Sequence, residues 1–290
     1  TARSGDGDHR DGSGRFRIAT LGPERTVAWW VARYDDNDLV YLTDVSSQQR
    51  SEEAARMLLS DISHELRTPV ATMLTHLEVL RLPQLGETAR EQSLTLLRQE
   101  GERMARLIND MLDLGRLETS AALPRTPLDL LDLAQEATAQ MQASAAARGI
   151  ELSLEAVAPL DLVAGNRDRL KQVFLNLLDN AIKFGRTGDR VVITMSQAGG
   201  EIRCAVRDSG PGISPQHLPY VTRRFYRATG QDQLGSGLGL ALAAEILRHH
   251  NSRLEIESST EPGGSGTTVS FTLPLLPETT PRFLAGSFWL

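Results

Sequence analysis

Two long helical patterns carry a seven-residue apolar repeat, and that repeat constrains the fold more than any other feature. From Asp44 to Leu82, the residues Leu58, Ile62, Leu66, Val70, Met73, Leu77 and Leu80 recur three and four apart, the spacing of one helix face. Pro83 and Gly86 break the pattern. A second helix is predicted over 87–117, where Leu97, Met104 and Met111 fall seven apart, as do Leu94, Gly101 and Ile108, and Leu107 and Leu114. One helical hairpin has more apolar face than it can hide, whereas two copies packed as an antiparallel four-helix bundle would cover it. The repeat therefore favours a homodimer over a monomeric hairpin packed on its own chain.

The 290 residues suffice for about two domains. With 40% apolar and 23% charged residues, wholesale disorder and a coiled-coil-only chain are excluded. A net charge of −6 makes no electrostatic case for nucleic acid or anionic lipid. The single cysteine, Cys204, can form neither an internal disulfide nor a multi-cysteine metal site, which suits a reducing, cytoplasmic compartment. It alternates with apolar residues in a strand pattern and so reads as a small buried hydrophobe. No run approaches the roughly 18–20 apolar residues of a membrane helix, so no membrane contact is expected from this segment. No leader is visible, and a first residue Thr1 reads as a trimmed chain.

Residues 1–17 are Gly-, Ser-, Asp- and Arg-rich and are expected to be mobile. Val27, Trp29, Val31 and the run 39–42 flank the turn-forming cluster Asp35-Asp36-Asn37-Asp38, a hairpin signal. Two strands are marginal alone, so 18–50 reads as the remnant of a larger sheet plus a linker. The helical hairpin occupies 51–122, and a linker punctuated by Pro124 and Pro127 opens an α/β region over 123–276. Its predicted elements are strands at 128–130, 150–154, 160–164, 191–196, 202–208, 253–258 and 267–273, with helices at 131–147, 167–184 and 238–250. A helix layer on a mixed sheet follows, giving an α+β chain overall. The tail 277–290 has no structural reading.

On the first helix, His64 has Ser60, Asp61, Arg67 and Thr68 as neighbours at three and four residues, all polar. The apolar stripe passes through Ile62 and Leu66, so the imidazole is expected to face water. Glu65 beside it can accept its proton and bare a nitrogen lone pair for attack. Pro69 removes one helical hydrogen bond and disfavours helix at Thr68, so a kink is expected there.

Three polar features stand out in the second half. Asn176, Asn180 and Lys183 share one helix face, and two amides with an ammonium suit a polyphosphate and Mg²⁺, Asn180 being the expected metal ligand. Asp208, with Gly210 and Gly212 after it, ends a strand where a carboxylate can accept from an adenine amino group. Gly235, Gly237, Leu238 and Gly239 open a helix whose N–H groups favour phosphate. A Rossmann reading of this loop fails, because no strand immediately precedes it. His249-His250 reads as a favourable contact with a helix end, and Arg167 and Arg169 as a solvated face.

The string Ser63-His64-Glu65-Leu66-Arg67-Thr68-Pro69 resembles the phosphoacceptor box of the sensor histidine kinases of two-component signalling. The three later motifs, with Arg223-Arg224-Phe225-Tyr226-Arg227 between the two glycine loops, resemble that family's nucleotide-binding boxes in the same order. The resemblance spans about Ser60 to Leu273. It implies a dimeric phosphoacceptor bundle followed by a Bergerat-type ATP-binding α/β sandwich. It implies ATP and Mg²⁺ as cofactors, phosphorylation of His64, Glu65 as acid/base partner and transfer to an aspartate of a response regulator. It gives Thr68 a part in positioning water for dephosphorylation, Phe225 a place in the aromatic box, and 226–234 the part of a lid over ATP. The exit Asp44-Val45-Ser46 resembles the end of a PAS sensor domain. Many members are anchored in the inner membrane, and the full-length protein is expected to share that option. Related Bergerat-fold ATPases carry a water-activating glutamate where Asn176 stands, and an amide is no base. A hydrolytic ATPase and a nucleotide-binding dimer without phosphotransfer stand as the alternatives.

Overall fold

The computed structural model describes residues 14–20, 26–34, 37–119, 123–157, 159–228, 235–261 and 263–276, except that the side chains of residues 14–20, 30, 32–34, 37–39, 47–61, 64, 118 and 119 fall outside the description. Two compact units are present, residues 1–93 and 94–290.

The first unit opens with an antiparallel sheet of three strands in the order β1 (Gly14–Thr20), β2 (Thr26–Tyr34), β3 (Asn37–Asp44). Of the mobile segment expected over 1–17, residues 1–13 lie outside the described residues, and only its last four are corrected. Gly14 to Arg17 belong to β1, which pairs along its whole length with β2, from Gly14 opposite Ala32 to Thr20 opposite Thr26. The stabilising partner is another strand, which the local polarity of the segment cannot reveal. Asp35 and Asp36, the middle of the expected turn, lie outside the described residues.

The corner after β3 is closed by polar contacts. Asp44 Oδ1 accepts from Ser46 N at 2.9 Å, and Val45 N donates to the Thr26 carbonyl at 2.9 Å. Helix α1 (Ser46–Leu80) follows, with Pro69 inside it. The helix continues through the proline to Leu80. Thr72 Oγ1 donates to the Thr68 carbonyl at 3.2 Å in that stretch. After the break at 81–86, His76 Nδ1 lies 3.2 Å from the buried Ser93 Oγ of the next helix. Leu74 and Leu77 on α1 are about half exposed.

Helix α2 (Glu87–Thr119) runs into the second unit. Leu107, Leu114 and Leu117 are buried there, while Leu94, Ile108 and Leu112 are exposed. Beyond it stand β4 (Thr126–Leu128), α3 (Leu130–Ala147), β5 (Glu151–Ala156), β6 (Val163–Gly165), α4 (Arg167–Phe184), β7 (Arg190–Ala198), β8 (Glu201–Asp208), α5 (Gly239–Arg248), β9 (Glu255–Ser259) and β10 (Gly266–Pro274). The strand expected at 128–130 ends earlier, at Leu128. Asp129 caps α3 instead, its carboxylate accepting from Leu131 N and Asp132 N.

Five strands form one mixed sheet in the order β5-β7-β8-β10-β9, parallel only between β5 and β7. A small β4-β6 pair stands apart. Helix α3 packs on β5, and α4 packs on β7 and β8 with α3 and α5 as its neighbours. The core between the layers holds Leu170, Phe174, Leu178, Ile193, Met195, Ile202, Leu242 and Phe271, all at most 1% exposed. Phe174 meets Phe271 edge-on with centroids 5.7 Å apart. Cys204 lies in this core, and burial pushes its thiol far above the usual range, so it is inert packing.

Candidate functional site

Helix α4 turns one face to the core through Leu177, Leu178, Ala181 and Ile182, which leaves Asn176, Asn180 and Lys183 on a partly open face. Its start is fixed by Asn166, whose side chain accepts from Arg169 N at 3.1 Å. The glycine segment before α5 lies along that polar face. Asn176 Nδ2 donates to the Gly239 carbonyl at 3.1 Å. A Cβ placed on Gly239 would stand 3.8 Å from both Asn176 Cγ and Asn180 Nδ2, and one on Gly235 would stand 2.5 Å from Lys183 Nζ. At Gly239 a side chain would make only ordinary contact, whereas Gly235, at φ +97°, holds a backbone conformation that other residues rarely adopt.

Phe225 joins this assembly through its backbone. It holds φ at +58°, rare for an aromatic residue, and its N–H donates to the Gly237 carbonyl at 3.0 Å. A Cβ on Gly237, itself at φ +69°, would come within 2.8 Å of the Phe225 backbone. Tyr226 is braced by His217, whose Nδ1 lies 2.7 Å from the phenol oxygen. Leu238 is fully buried, so its side chain anchors the loop in the core. Residues 229–234, most of the expected lid, lie outside the described residues.

At the other end of α4, Asp208 Oδ1 accepts from Gly210 N at 2.9 Å and from Thr267 N at 3.3 Å. Burial raises its carboxyl above the ordinary carboxylate value, and these two backbone bonds pull it partly back. Gly212, at φ +75°, presses on the Ser259 carbonyl where a Cβ would overlap. The Phe184 carbonyl ends α4 3.6 Å from where a Cβ of Gly210 would stand. Asn176, Asn180, Lys183, Gly235, Gly237, Gly239 and Phe225 are thus drawn together, with Asp208 and Gly210 beside the last turn of α4.

No group of three or more His, Cys, Asp or Glu side chains could hold a metal among the described residues. A hard cation shared with a polyphosphate needs less, and Asn180 offers an amide oxygen with no protein partner among the described residues. Its donor set fits a Mg²⁺ carried in on phosphate oxygens.

Comparison with known proteins accounts for both halves. Residues 54–120 match the His Kinase A (phospho-acceptor) domain, and residues 165–277 match the Histidine kinase-, DNA gyrase B-, and HSP90-like ATPase family. Histidine protein kinase DivJ of Caulobacter vibrioides is 33% identical over 92% of this chain and 48% of its own length. The chain belongs to the sensor histidine kinases. Another histidine kinase, the signal transduction histidine-protein kinase/phosphatase MprB of Mycobacterium leprae, is 31% identical over 91% of this chain and 54% of its own. The crystal structure of full-length ShkA in complex with AMPPNP superposes with a TM-score of 0.56 at 29% identity, covering 75% of this chain and 45% of that one. The chain spans about half the length of the curated relatives it matches.

In this histidine kinase the phosphoacceptor box lies in the first unit, on α1. Glu65 is half-buried and Thr68 exposed, while the side chain of His64, with its expected exposure, lies outside the described residues. Three features were not legible as motifs. Asp113 on α2 pairs with Arg169 at 2.9 Å and accepts from Gln172 at 3.1 Å. Asp110, one turn earlier, accepts from Ser236 of the glycine loop at 3.3 Å, and burial raises its carboxyl above the usual range. His250 is buried, accepting from Asn166 N at 3.0 Å through Nε2 with Nδ1 2.7 Å from the Ile246 carbonyl, so it is a neutral strut and not a helix-end cation. Arg167 stays on the expected solvated face, exposed while it pairs with the exposed Asp132 and with Glu136 on α3. Each depends on residues distant in sequence.

Proposed function

We propose that this chain is the kinase core of a sensor histidine kinase, which phosphorylates His64 from ATP and passes the phosphoryl group to an aspartate of a response regulator. The observation that carries the reading is the glycine segment laid along the polar face of α4, with Gly235 against Lys183 and Gly239 held by Asn176. That cradle suits a polyphosphate, and Asp208 at the end of β8 suits the adenine amino group. Mg²⁺ on Asn180 would supply charge neutralisation at the phosphates.

In the transfer, the His64 imidazole attacks the γ-phosphorus. A P–N bond forms, the bond to the β–γ bridging oxygen breaks, and ADP leaves. Glu65 takes the ring proton, restoring a neutral donor for the next transfer. Asn176 cannot activate water, which favours transfer to a side chain over hydrolysis. Thr68, exposed on the turn after His64, serves the reverse activity by positioning water on the phosphorylated regulator, in keeping with the kinase/phosphatase name of MprB. Exposed Leu74 and Leu77 on α1 and Leu94, Ile108 and Leu112 on α2 support homodimerisation through a four-helix bundle. The sheet β1–β3, leading into α1 through Asp44-Val45-Ser46, supports the end of a PAS-type sensor.

The test is incubation of the intact chain with γ-labelled ATP and Mg²⁺. Wild type is expected to take up label, His64→Gln to bind ATP without labelling, and Asn180→Ala to lose Mg²⁺-dependent binding and labelling together. A labelled His64→Gln chain would refute the phosphoacceptor assignment.

A further inference from the structure

We propose that Arg148 is a positioning residue for the nucleotide site, holding the last turn of α4 so that Lys183 meets the phosphates. The inference rests on the nucleotide reading above and deepens it. Arg148 stands at the C-terminal cap of α3, 35 residues before Lys183 and outside every motif. Its Nη1 donates to the Ile182 carbonyl at 2.9 Å and to the Lys183 carbonyl at 2.6 Å.

Those carbonyls lack intrahelical partners, since α4 ends at Phe184 and Gly185 leaves in extended conformation, φ −69° and ψ 158°. Gly185 N reaches only the Ala181 carbonyl. One guanidinium therefore completes the cap, and its charge also suits the negative end of the helix. The corner holding Arg148 is itself tied to the loop after α4. Thr187 Oγ1 donates to the Arg148 carbonyl at 3.2 Å, and Gly188 N donates to the Gly149 carbonyl at 2.8 Å. Behind the turn lies an open cavity of about 600 Å³ lined by Arg148, Gly149, Lys183, Phe184 and Thr187 among others. On that side the guanidinium bridges the last carbonyls of the turn to the corner after α3. Lys183, whose ammonium lies against Gly235, and Phe184, whose carbonyl faces Gly210, both ride on that turn.

A double-mutant cycle on the intact chain, read as ATP affinity by calorimetry, separates this role from general stability. Arg148→Ala is expected to weaken ATP binding about fivefold, roughly 1 kcal/mol. In a Lys183→Ala background the same change is expected to alter affinity by less than about twofold. Arg148→Lys, which keeps a charged donor, is expected to recover part of the loss. If Arg148→Ala fails to fold, Arg148→Gln carries the cycle. Additive losses, or no loss from Arg148 variants while Lys183→Ala still weakens binding, would overturn the proposal. Undiminished ATP binding by Lys183→Ala would instead remove the phosphate role of the lysine itself.

Discussion

Arg169 Nη1 on α4 lies 2.9 Å from Asp113 Oδ1 on α2, with both side chains about one-quarter exposed. The pair joins α2 to α4, the helix that carries Asn176, Asn180 and Lys183. Gln172 donates to the same carboxylate, and Ser236 joins the glycine loop to Asp110 one turn earlier. These polar contacts tie α2 to α4 and to the glycine loop.

Arg169→Asp is expected to loosen that tie by about 1 kcal/mol, the scale of a partly screened ion pair. Subtilisin cleavage between α2 and β4 should then accelerate about fivefold. The reciprocal double change, Arg169→Asp with Asp113→Arg, should return the rate toward wild type. A double variant as fast as the single one would deny the pair its role.

Gly237→Ala is expected to weaken ATP binding about tenfold, because a left-handed alanine costs roughly 1–2 kcal/mol. Its Cβ would also press within 2.8 Å of the Phe225 backbone. Gly86→Ala, with nothing within 4 Å of the new carbon, is the matched control and should bind normally. Equal binding by both variants in calorimetry would count against the close approach of Phe225 to the loop.

Much of this site was legible in the sequence because its chemistry is local. The helix 167–184 is found as expected, since one amphipathic pattern and one asparagine cap specify it. Asn176, Asn180 and Lys183 share a face by helical arithmetic alone. What escaped the sequence depends on distant partners. His250 reads as a contact with a helix end until Asn166, 84 residues earlier, donates into its ring. Gly14 to Arg17 read as tail until β2 pairs with them, and Arg169 reads as solvated until Asp113 arrives from α2.

His250 should leave a signature in the pH dependence of stability. Burial lowers its affinity for a proton below the ordinary 6.5, so the unfolded chain binds the proton more tightly. Stability is full above that value and falls as pH drops through it towards the folded value. Urea midpoints between pH 5 and 8 should therefore decline less steeply on the acid side in His250→Gln than in wild type. Parallel curves would contradict a buried neutral ring.

Asp208 carries the opposite sign. Its raised carboxyl binds a proton more tightly in the folded protein, so stability falls as pH rises from 3.8 through the folded value. Asp208→Asn keeps an oxygen for Gly210 N and Thr267 N but removes the buried charge. Without nucleotide the variant should melt above wild type at pH 7, and it should lose ATP binding. A variant that melts higher and still binds ATP would remove Asp208 from adenine recognition.

The most direct measurement is localisation of the phosphate after brief incubation with ATP and Mg²⁺, by tandem mass spectrometry under alkaline conditions. The expected result is one phosphoryl group on the imidazole of His64, stable in base and lost in acid. An acid-stable phosphate on a hydroxyl side chain, or ADP production with no modified histidine, would contradict a phosphohistidine kinase.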